Sequence, residues 1–331
     1  MTEPQASVTT AGFDQIQEGA ALVQQIDQAL KSVLIGQDEV VEQVLIALLA
    51  GGHVLLEGVP GLGKTLLVRA LAKTFGGGFA RIQFTPDLMP SDITGHALFN
   101  MEARKFEVRK GPIFTNLLLA DEINRAPAKT QAALLEVMQE HQVTIEGRSF
   151  AVGQPFMVLA TQNPIEQEGT YPLPEAELDR FMFKIHIDYP AQDDEVELVR
   201  RVTDVVRDQD YLSGLSALIT PEGILQLQQQ TRMVTTDQQV LEYAVRLVSA
   251  TRDWQGISRG AGPRASIGLI QAARAAALIQ GREFVLPDDI KRIAKPVLRH
   301  RILLGAEMEI EGIRADRVLE DILEQVDAPR P

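Results

Sequence analysis

The sequence "GVPGLGKT", from Gly58 to Thr65, decides the fold class because of what stands on either side of it. It satisfies the pattern G-x-x-x-x-G-K-[ST], in which glycines let backbone N–H groups turn towards phosphate oxygens. The apolar run "HVLLEG" (53–58) precedes it as a candidate buried strand, and "KTLLVRALAKTF" (64–75) follows with helical periodicity. Because a chance glycine turn would require neither neighbour, we interpret the segment as a phosphate-binding loop.

Two residues of this loop have predicted tasks. Lys64 supplies a compact cation to the β- and γ-phosphates of a nucleotide, and the Thr65 hydroxyl ligates Mg²⁺. The helix that begins there adds the positive end of its dipole. The loop therefore predicts binding of a magnesium–nucleotide complex.

Polar residues end two further apolar runs. In "LLLADE" (117–122) we expect Asp121 to hold the water shell of the magnesium ion, and Glu122 to orient and deprotonate an attacking water. In "LATQNP" (159–164) the amide of Asn163 can hold that water or the γ-phosphate, although Asn-Pro is also an ordinary turn opener. No [NT]-K-x-D motif for reading guanine occurs, so ATP is the expected nucleotide.

Strand and helix patterns alternate through the first part of the chain, which predicts an α/β fold with a mainly parallel sheet. A flexible tail is expected over 1–12, an α/β nucleotide-binding core over 13–190 and a smaller all-helical lid over 191–331. Two segments of the core, 96–111 and 143–152, alternate like hairpins, and the second turns at Glu146-Gly147. The strand candidates of the core are "HVLLEG" (53–58), "FARIQFT" (79–85), "NLLLADE" (116–122), "FMVLATQ" (156–162) and "FKIHIDY" (183–189).

Composition excludes several classes of protein. The chain has 331 residues, no cysteine and a formal charge of −13, so thiolate chemistry is excluded and a broad grip on nucleic acid is disfavoured. No run of 18 apolar residues and no secretory signal are visible, so we expect a cytoplasmic protein without membrane insertion. The histidines show no metal-ligand spacing, and Mg²⁺ is the expected metal.

The order of these motifs resembles that of the MoxR family of AAA+ ATPases, over roughly residues 14–326. The phosphate loop is common to all P-loop NTPases, whereas the combination of motifs is specific to this family. The resemblance is carried by "IGQDEV" (35–40), "LLEGVPGLGKT" (55–65), "RIQFTPDLMPSDITG" (81–95), "GPIFTNLLLADEINRAPAKTQAALLEVMQE" (111–140), "ATQNPIEQEGTYPLPEAELDRF" (160–181) and "GPRAS" (262–266).

The resemblance implies a role for each matching position. Asp121 and Glu122 are similar to Walker B and Asn163 to sensor 1, while Arg180 looks like an arginine finger for a neighbouring subunit and Arg264 like sensor 2. Thr65 and Asp121 are then the magnesium residues. The implied ATP-binding residues are Ile35 and Gly36, where the adenine pocket begins, and Gly58, Pro60, Gly61, Leu62, Gly63, Lys64, Thr65 and Leu66 of the Walker A region.

The local sequence leads to different expectations for Arg180 and Arg264. Arg180 ends the short helical segment "PEAELDR", where Glu177 is a possible i−3 partner, so a purely structural role stays open. Arg264 lies in the first turn of a helix, where a cation is disfavoured by the dipole, which favours another use such as a phosphate contact. The basic residues Arg104, Lys105, Arg109 and Lys110 of the first hairpin suit contact with nucleic acid or with an acidic client, although interspersed acids favour a solvated face.

Members of the family form hexameric rings and act as chaperones, often with a von Willebrand factor A domain partner. The resemblance therefore implies an ATP-hydrolysing ring that remodels or matures a protein client. Three alternatives remain at this point: a helicase-like nucleic-acid motor, a chelatase-type motor subunit for metal insertion, and a nucleotide-gated scaffold with negligible turnover. The acidic composition disfavours the first of them.

Overall fold

The computed structural model describes residues 6–59, 61–102, 104–163, 170–203 and 212–329. Within them the α-helices are α1 (Ala6–Lys31), α2 (Asp38–Leu49), α3 (Lys64–Thr74), α4 (Pro90–Thr94), α5 (Ala128–Glu140), α6 (Glu175–Leu178), α7 (Gln192–Thr203), α8 (Pro221–Met233), α9 (Gln238–Asp253), α10 (Pro263–Ile279), α11 (Pro287–Leu298), α12 (Ala306–Ile310) and α13 (Ala315–Gln325). The strands are β1 (Val54–Gly58), β2 (Phe79–Gln83), β3 (Gly95–Asn100), β4 (Lys105–Lys110), β5 (Leu117–Asp121), β6 (Gln142–Ile145), β7 (Arg148–Ala151), β8 (Met157–Gln162), β9 (Phe183–Ile187), β10 (Ile257–Arg259) and β11 (Leu303–Leu304).

Five strands form one parallel sheet in the order β2-β5-β8-β1-β9. The five apolar runs of the sequence supply these strands, so the predicted α/β fold with a parallel sheet is confirmed. Because the strands are parallel, their carboxyl ends lie at one edge of the sheet. The polar residues that follow β1, β5 and β8 are therefore neighbours.

Strand periodicity explains why both faces of the sheet are covered. Leu56 and Leu119 point into a core shared with α1, α2, α3 and the C-terminal helices. Leu55 and Leu118, one residue away along each strand, point into a second core that includes side chains of α5. Successive side chains of a strand face opposite sides, so continuous apolar runs are the pattern that a sheet buried on both faces requires.

Two antiparallel hairpins interrupt the parallel sheet, as the alternating segments predict. Strands β3 and β4 pair from Gly95↔Lys110 to Asn100↔Lys105, and β6 pairs with β7. The second hairpin turns at Glu146 (φ 48°) and Gly147 (φ 73°), two positive-φ residues that suit a tight two-residue turn.

The expected N-terminal tail is partly helical. Helix α1 begins at Ala6, so residues 6–12 are helical, whereas the sequence analysis expected the helix to begin after them. Residues 1–5 lie outside the described part of the chain. No proline follows Pro4 before the periodic segment, and the residues in between do not break a helix sharply. The flexibility of this segment stays a prediction.

The region after residue 190 is helical except for short strands that the sequence analysis did not predict. β10 and β11 form an antiparallel pair of three and two residues, which is too short for a period-two pattern. Apolar side chains of α8 to α11 join the same core as α1 and α2, so the core continues across the predicted domain boundary near 190. Within the described residues, no helix is both long and apolar enough to cross a membrane.

A buried guanidinium ties the C-terminal helices to the end of the sheet. The Arg301 side chain is 4% exposed and donates to Asp179 Oδ1 at 2.7 Å. It also donates to the carbonyls of Phe181 (2.7 Å), Met182 (3.1 Å) and Asp179 (3.2 Å). His300 adds a bond from Nε2 to the Phe181 carbonyl at 3.0 Å, and burial lowers the pKa of His300, which keeps the ring neutral. We call Arg301 and His300 the clamp.

Replacing Arg301 by methionine should lower the free energy of unfolding by about 3–5 kcal/mol, because Asp179 and several carbonyls lose their buried partner. Urea denaturation followed by circular dichroism measures the loss. The matched control is Arg259→Met, which removes an ion pair between Arg259 and Glu175 whose arginine is 65% exposed and should cost about 1 kcal/mol at most. Equal losses in the two variants would contradict the role of the clamp.

Candidate functional site

A cavity of about 510 Å³ lies at the carboxyl edge of the sheet, where β1, β5 and β8 end side by side. It is lined by residues of the phosphate loop and of both predicted polar strand ends. The lining residues are Gly58, Gly61, Gly63, Lys64, Thr65, Leu66, Arg69, Arg81, Gln83, Asp121, Glu122, Thr161, Gln162 and Asn163.

The loop has the local geometry that its glycines predict. Gly63 is the N-cap of α3 with φ 74°, a left-handed conformation that side chains rarely adopt. At Gly58, a Cβ atom would lie 2.5 Å from the carbonyl oxygen of Ile187, so no larger residue fits between β1 and β9. The loop therefore leaves β1 and enters the helix with its N–H groups at the helix N-terminus, where anions bind.

Lys64 lies at the end of the phosphate loop and lines the cavity, as its predicted contact with phosphates requires. Its Nζ donates a hydrogen bond to the carbonyl of Gly58, the first residue of the same loop. Burial lowers the pKa of Lys64, while the charges of Asp121 and Glu122 raise it. The ammonium group and both acids thus share one electrostatic environment.

A strained backbone brings the two acids together. Successive side chains of a strand point to opposite faces, so a regular strand would separate Asp121 from Glu122. Strand β5 ends at Asp121, and Glu122 adopts φ 54° and ψ 50°, a left-handed conformation that costs a non-glycine residue about 1–3 kcal/mol. The Glu122 N–H donates to Thr161 Oγ1 at 2.8 Å, and both carboxylates line the cavity.

Asp121 is held between two neighbouring strands. Thr161 of β8 donates its hydroxyl to Asp121 Oδ1 at 2.6 Å. Arg81 of β2 donates to the other oxygen, Oδ2, from Nη2 at 2.6 Å and from Nε at 3.2 Å. The Asp121 carboxylate is therefore fixed in orientation and neutralised by a guanidinium.

The carboxylate of Glu122 also has partners of its own. Gln83 Nε2 donates to Glu122 Oε2 at 2.7 Å, and Arg125 Nε lies 3.0 Å from the same oxygen. Arg81 and Gln83 are two residues apart on β2, so they share one face of the strand. The sequence analysis missed both residues, although this spacing in "RIQ" beside the predicted acids could have indicated them.

The chemistry of the donors in the cavity fits Mg²⁺. The ion prefers oxygen ligands and retains several waters, and Thr65 and Asp121 contribute a hydroxyl and a carboxylate to the same cavity. Asn163 lines this cavity as well, whereas Pro60 lies outside the described residues.

The predicted adenine residues line a separate cavity of about 440 Å³, shared with α7. Ile35 and Gly36 lie there, and the Asp194 side chain is so close to Gly36 that a Cβ atom would lie 2.8 Å from it. Gln37 links this cavity to the phosphate loop, because its Nε2 donates to the Leu62 carbonyl at 2.7 Å.

A three-residue cluster anchors the base of the loop to the edge strand. Glu57 accepts from Lys184 at 2.9 Å and lies 3.1 Å from His186 Nε2. Burial alone would raise the pKa of Glu57, but the bonds from His186 and Lys184 lower it to about 2. The carboxylate therefore stays ionised and fixes β1 against β9 directly before the loop.

Arg180 and Arg264 do not line the cavity at the carboxyl edge of the sheet. Arg180 follows α6, and within the described residues its guanidinium has neither an ion pair nor a hydrogen bond, so the considered pairing with Glu177 is not formed. Arg264, in the first turn of α10, lies 3.4 Å from Asp179 Oδ2 and is half exposed. Arg264 thus contacts Asp179, the residue before Arg180, and the clamp also holds Asp179.

Comparisons with known proteins agree with this geometry. The family model described as the ATPase family associated with various cellular activities (AAA) matches residues 53–183, and the model for the AAA lid domain matches 249–322. A crystal structure of a candidate ATPase from Cytophaga hutchinsonii superposes with a TM-score of 0.90 at 43% identity, covering 97% of this chain and 99% of the other.

Two relatives share almost the whole length of the chain. The protein YeaC of Bacillus subtilis is 46% identical over 91% of this chain and 92% of its own. The chaperone MoxR1 of Mycobacterium tuberculosis is 45% identical over 94% of this chain and 84% of its own. The phosphate loop, the paired acids at the end of β5 and these full-length similarities agree: the chain belongs to the MoxR family of AAA+ ATPases.

Proposed function

We propose that the chain hydrolyses ATP with Mg²⁺ and uses the energy to remodel a protein client as a ring-forming chaperone. The observation that carries the proposal is the convergence of Lys64, Thr65, Asp121, Glu122 and Asn163 in one cavity at the sheet edge. Phosphoryl transfer needs a cradle for phosphates, a magnesium ligand and a residue that positions water. The cavity supplies at least one suitable residue for each of these three needs.

Five residues of the cavity have tasks in the proposed reaction. The N–H groups of the loop and Lys64 hold the β- and γ-phosphates, and Thr65 with Asp121 holds the Mg²⁺, which neutralises phosphate charge. Glu122 accepts a proton from the attacking water, after its carboxylate exchanges Gln83 and Arg125 for that water. Asn163 orients the water or the γ-phosphate.

Arg180 and Arg264 complete the site of the adjacent subunit in this proposal. Neither arginine lines the cavity of its own chain, which supports a role across a subunit interface for both. Arg180 offers a guanidinium without a partner among the described residues, and Arg264 is held loosely by one exposed contact. The resemblance to the family supports a homo-oligomeric, hexameric ring as the assembly in which the two arginines would act.

The proposal extends to the cellular location of the protein, a partner protein and a client. The resemblance to the family supports a cytoplasmic location and a partner with a von Willebrand factor A domain. The relative named a chaperone supports a protein client. No observation favours metal insertion or a nucleic-acid motor, and the charge of −13 opposes the latter.

Replacing Glu122 by glutamine should leave ATP binding intact and slow turnover by about 10²-fold or more, because the amide cannot accept the proton of water. Calorimetry measures ATP affinity, and phosphate release measures turnover. Wild-type turnover in this variant would show that another residue activates the water. The same variant should retain ATP, and affinity capture with it tests for the partner and the client.

Replacing Arg81 by alanine should increase the affinity for ADP in the presence of Mg²⁺ several-fold, because the ion no longer competes with a guanidinium for Asp121. A partly exposed ion pair is worth up to about 1 kcal/mol, which corresponds to roughly fivefold. Calorimetry with ADP and Mg²⁺ gives the shift, and ADP with a chelator is the internal control. An equal change in both titrations would mean that Arg81 contacts the nucleotide instead.

Mixing two inactive variants tests the proposed subunit interface. Lys64→Ala should lose ATP binding, and Arg180→Ala should bind ATP but turn it over about 10³–10⁵-fold more slowly, the range for a lost arginine finger. In a mixed ring, an intact Lys64 loop can adjoin an intact Arg180, so part of the activity should return. Phosphate release from the mixture measures the rescue.

Three controls make the mixing experiment decisive. Each variant is assayed alone at the total concentration of the mixture, and sedimentation establishes that rings form. Arg264→Ala mixed with Lys64→Ala extends the test to the second arginine. Rings that form but recover no activity in either mixture would refute the role across the interface.

A further inference from the structure

The hydroxyl of Thr161 contacts both acids of the candidate site. Thr161 of β8 is 1% exposed, and its Oγ1 donates to Asp121 Oδ1 at 2.6 Å. The same oxygen accepts the N–H of Glu122 at 2.8 Å. The proton of the hydroxyl and one of its lone pairs are thus both committed. This one group therefore fixes the side chain of Asp121 and the backbone of Glu122.

Thr161 lies at the point where strands β5 and β8 separate. The register of these two strands runs to the pair Ala120↔Ala160, whereas β8 continues beside β1 with the pair Leu56↔Thr161. Beyond that point Glu122 has a left-handed backbone, and its N–H finds an acceptor in the Thr161 hydroxyl. A side-chain hydrogen bond therefore supports the turn that brings the Glu122 carboxylate to the cavity.

The bond from Glu122 to Thr161 differs from the other contacts of this acid. Gln83 and Arg125 hold the Glu122 carboxylate at 2.7 and 3.0 Å, and the proposed reaction exchanges both of them for the attacking water. Thr161 instead accepts the backbone N–H. Because this bond need not break when the carboxylate changes partners, it can keep Glu122 directed at the water throughout turnover.

Asp121 is held from two sides, by Thr161 on Oδ1 and by Arg81 on Oδ2. A guanidinium tends to bind a carboxylate through both of its oxygens. If the Thr161 hydroxyl were removed, the Asp121 carboxylate could turn Oδ1 towards Arg81, and a bidentate ion pair would compete with Mg²⁺. With the hydroxyl in place, Oδ1 keeps its orientation and retains a second lone pair for the ion or its water shell.

We propose that Thr161 is a positioning residue for ATP hydrolysis. It holds Asp121 in its orientation towards the Mg²⁺ and Glu122 in its orientation towards the attacking water. The inference rests on the proposed function in taking the reaction to be ATP hydrolysis, whereas the orientation of Asp121 can be tested without turnover. In this role Thr161 brings no charge to the site and acts on the reaction only through the two acids.

Two replacements of Thr161 separate the effect of its hydroxyl from that of its methyl group. Thr161→Val keeps the shape of the side chain but removes both hydrogen bonds, and kcat should fall by about 10²-fold, the scale for a small misplacement of a reacting group. Thr161→Ser keeps the hydroxyl and removes the methyl group, so most of the wild-type kcat should remain. Phosphate release at varied ATP concentration and saturating Mg²⁺ measures kcat and KM, and KM should change little because the phosphate loop is intact.

Calorimetric titration with ADP gives a readout that does not depend on turnover. With Mg²⁺, Thr161→Val should bind ADP several-fold more weakly than wild type, because Arg81 draws Asp121 away from the ion. With a chelator, the two proteins should bind ADP equally. Adding Arg81→Ala to Thr161→Val should restore the affinity in the presence of Mg²⁺ but not kcat, since the competing guanidinium is gone while Glu122 still lacks its support.

Thr231→Val is the matched control. Thr231 is 3% exposed on α8, and its Oγ1 donates to the Leu227 carbonyl at 2.9 Å, outside the nucleotide cavity. The same change of side chain at this position should leave kcat and both ADP titrations at wild-type values. Thermal denaturation verifies that each variant is folded. Thr161→Ala, which places no second methyl group against Asp121, supplies the same comparison if Thr161→Val fails to fold.

Several outcomes would overturn the inference. Wild-type kcat in Thr161→Val would do so, as would a kcat of Thr161→Ser as low as that of Thr161→Val. An equal loss of ADP affinity with and without Mg²⁺ would mean that Thr161 contacts the nucleotide directly, and wild-type affinity in both titrations would refute its role at Asp121. If wild type releases no phosphate but the titrations differ as expected, the proposed function fails and the role of Thr161 at Asp121 stands.

Discussion

Strand β1 lies between β8 and β9 in parallel register, and the rest of the candidate site depends on this pairing. Gly58 meets Ile187 so closely that only glycine fits, and Glu57 is fixed by Lys184 and His186 of β9. The loop therefore leaves the sheet at a fixed point, beside the end of β8. Because β5 pairs with the other edge of β8, its two acids reach the same cavity.

The charges of the cavity are satisfied by groups of the protein itself. Lys64 binds a carbonyl of its own loop, Arg81 neutralises Asp121, and Gln83 with Arg125 holds Glu122. Buried or half-buried charges are costly without partners, so these contacts stabilise the protein before any ligand arrives. Nucleotide binding is consequently an exchange of internal partners for phosphates and Mg²⁺, and its free energy is a difference between two sets of polar contacts.

The sequence predicts the sheet and the loop well because both leave regular signals. Apolar runs of strand length give β1, β2, β5, β8 and β9, and the loop motif stands between the required strand and helix. Glu122 shows the limit of such signals. A strand pattern places its side chain opposite Asp121, and only its left-handed backbone, supported by Thr161, brings the two acids together.

Contacts between residues distant in sequence were not predictable from local patterns. Arg81 meets Asp121 because β2 and β5 are neighbours in space, and the clamp joins Arg301 to a segment more than a hundred residues earlier. The strands β10 and β11 are too short to leave a periodic signal. The roles assigned to Arg180 and Arg264 stay predictions, since they concern a neighbouring subunit.

The clamp has a mechanical consequence. Arg301 and His300 follow α11 among the C-terminal helices, and they grip the carbonyls of the segment on which Arg180 stands. With hydrogen bonds of 2.7–3.0 Å to the Phe181 carbonyl, this segment is coupled rigidly to those helices. A rotation of the C-terminal helices against the sheet would have to carry Arg180 with them or break these hydrogen bonds. In an assembly where Arg180 faces the nucleotide of an adjacent subunit, as proposed above, these hydrogen bonds couple the C-terminal helices of one subunit to the nucleotide site of the next.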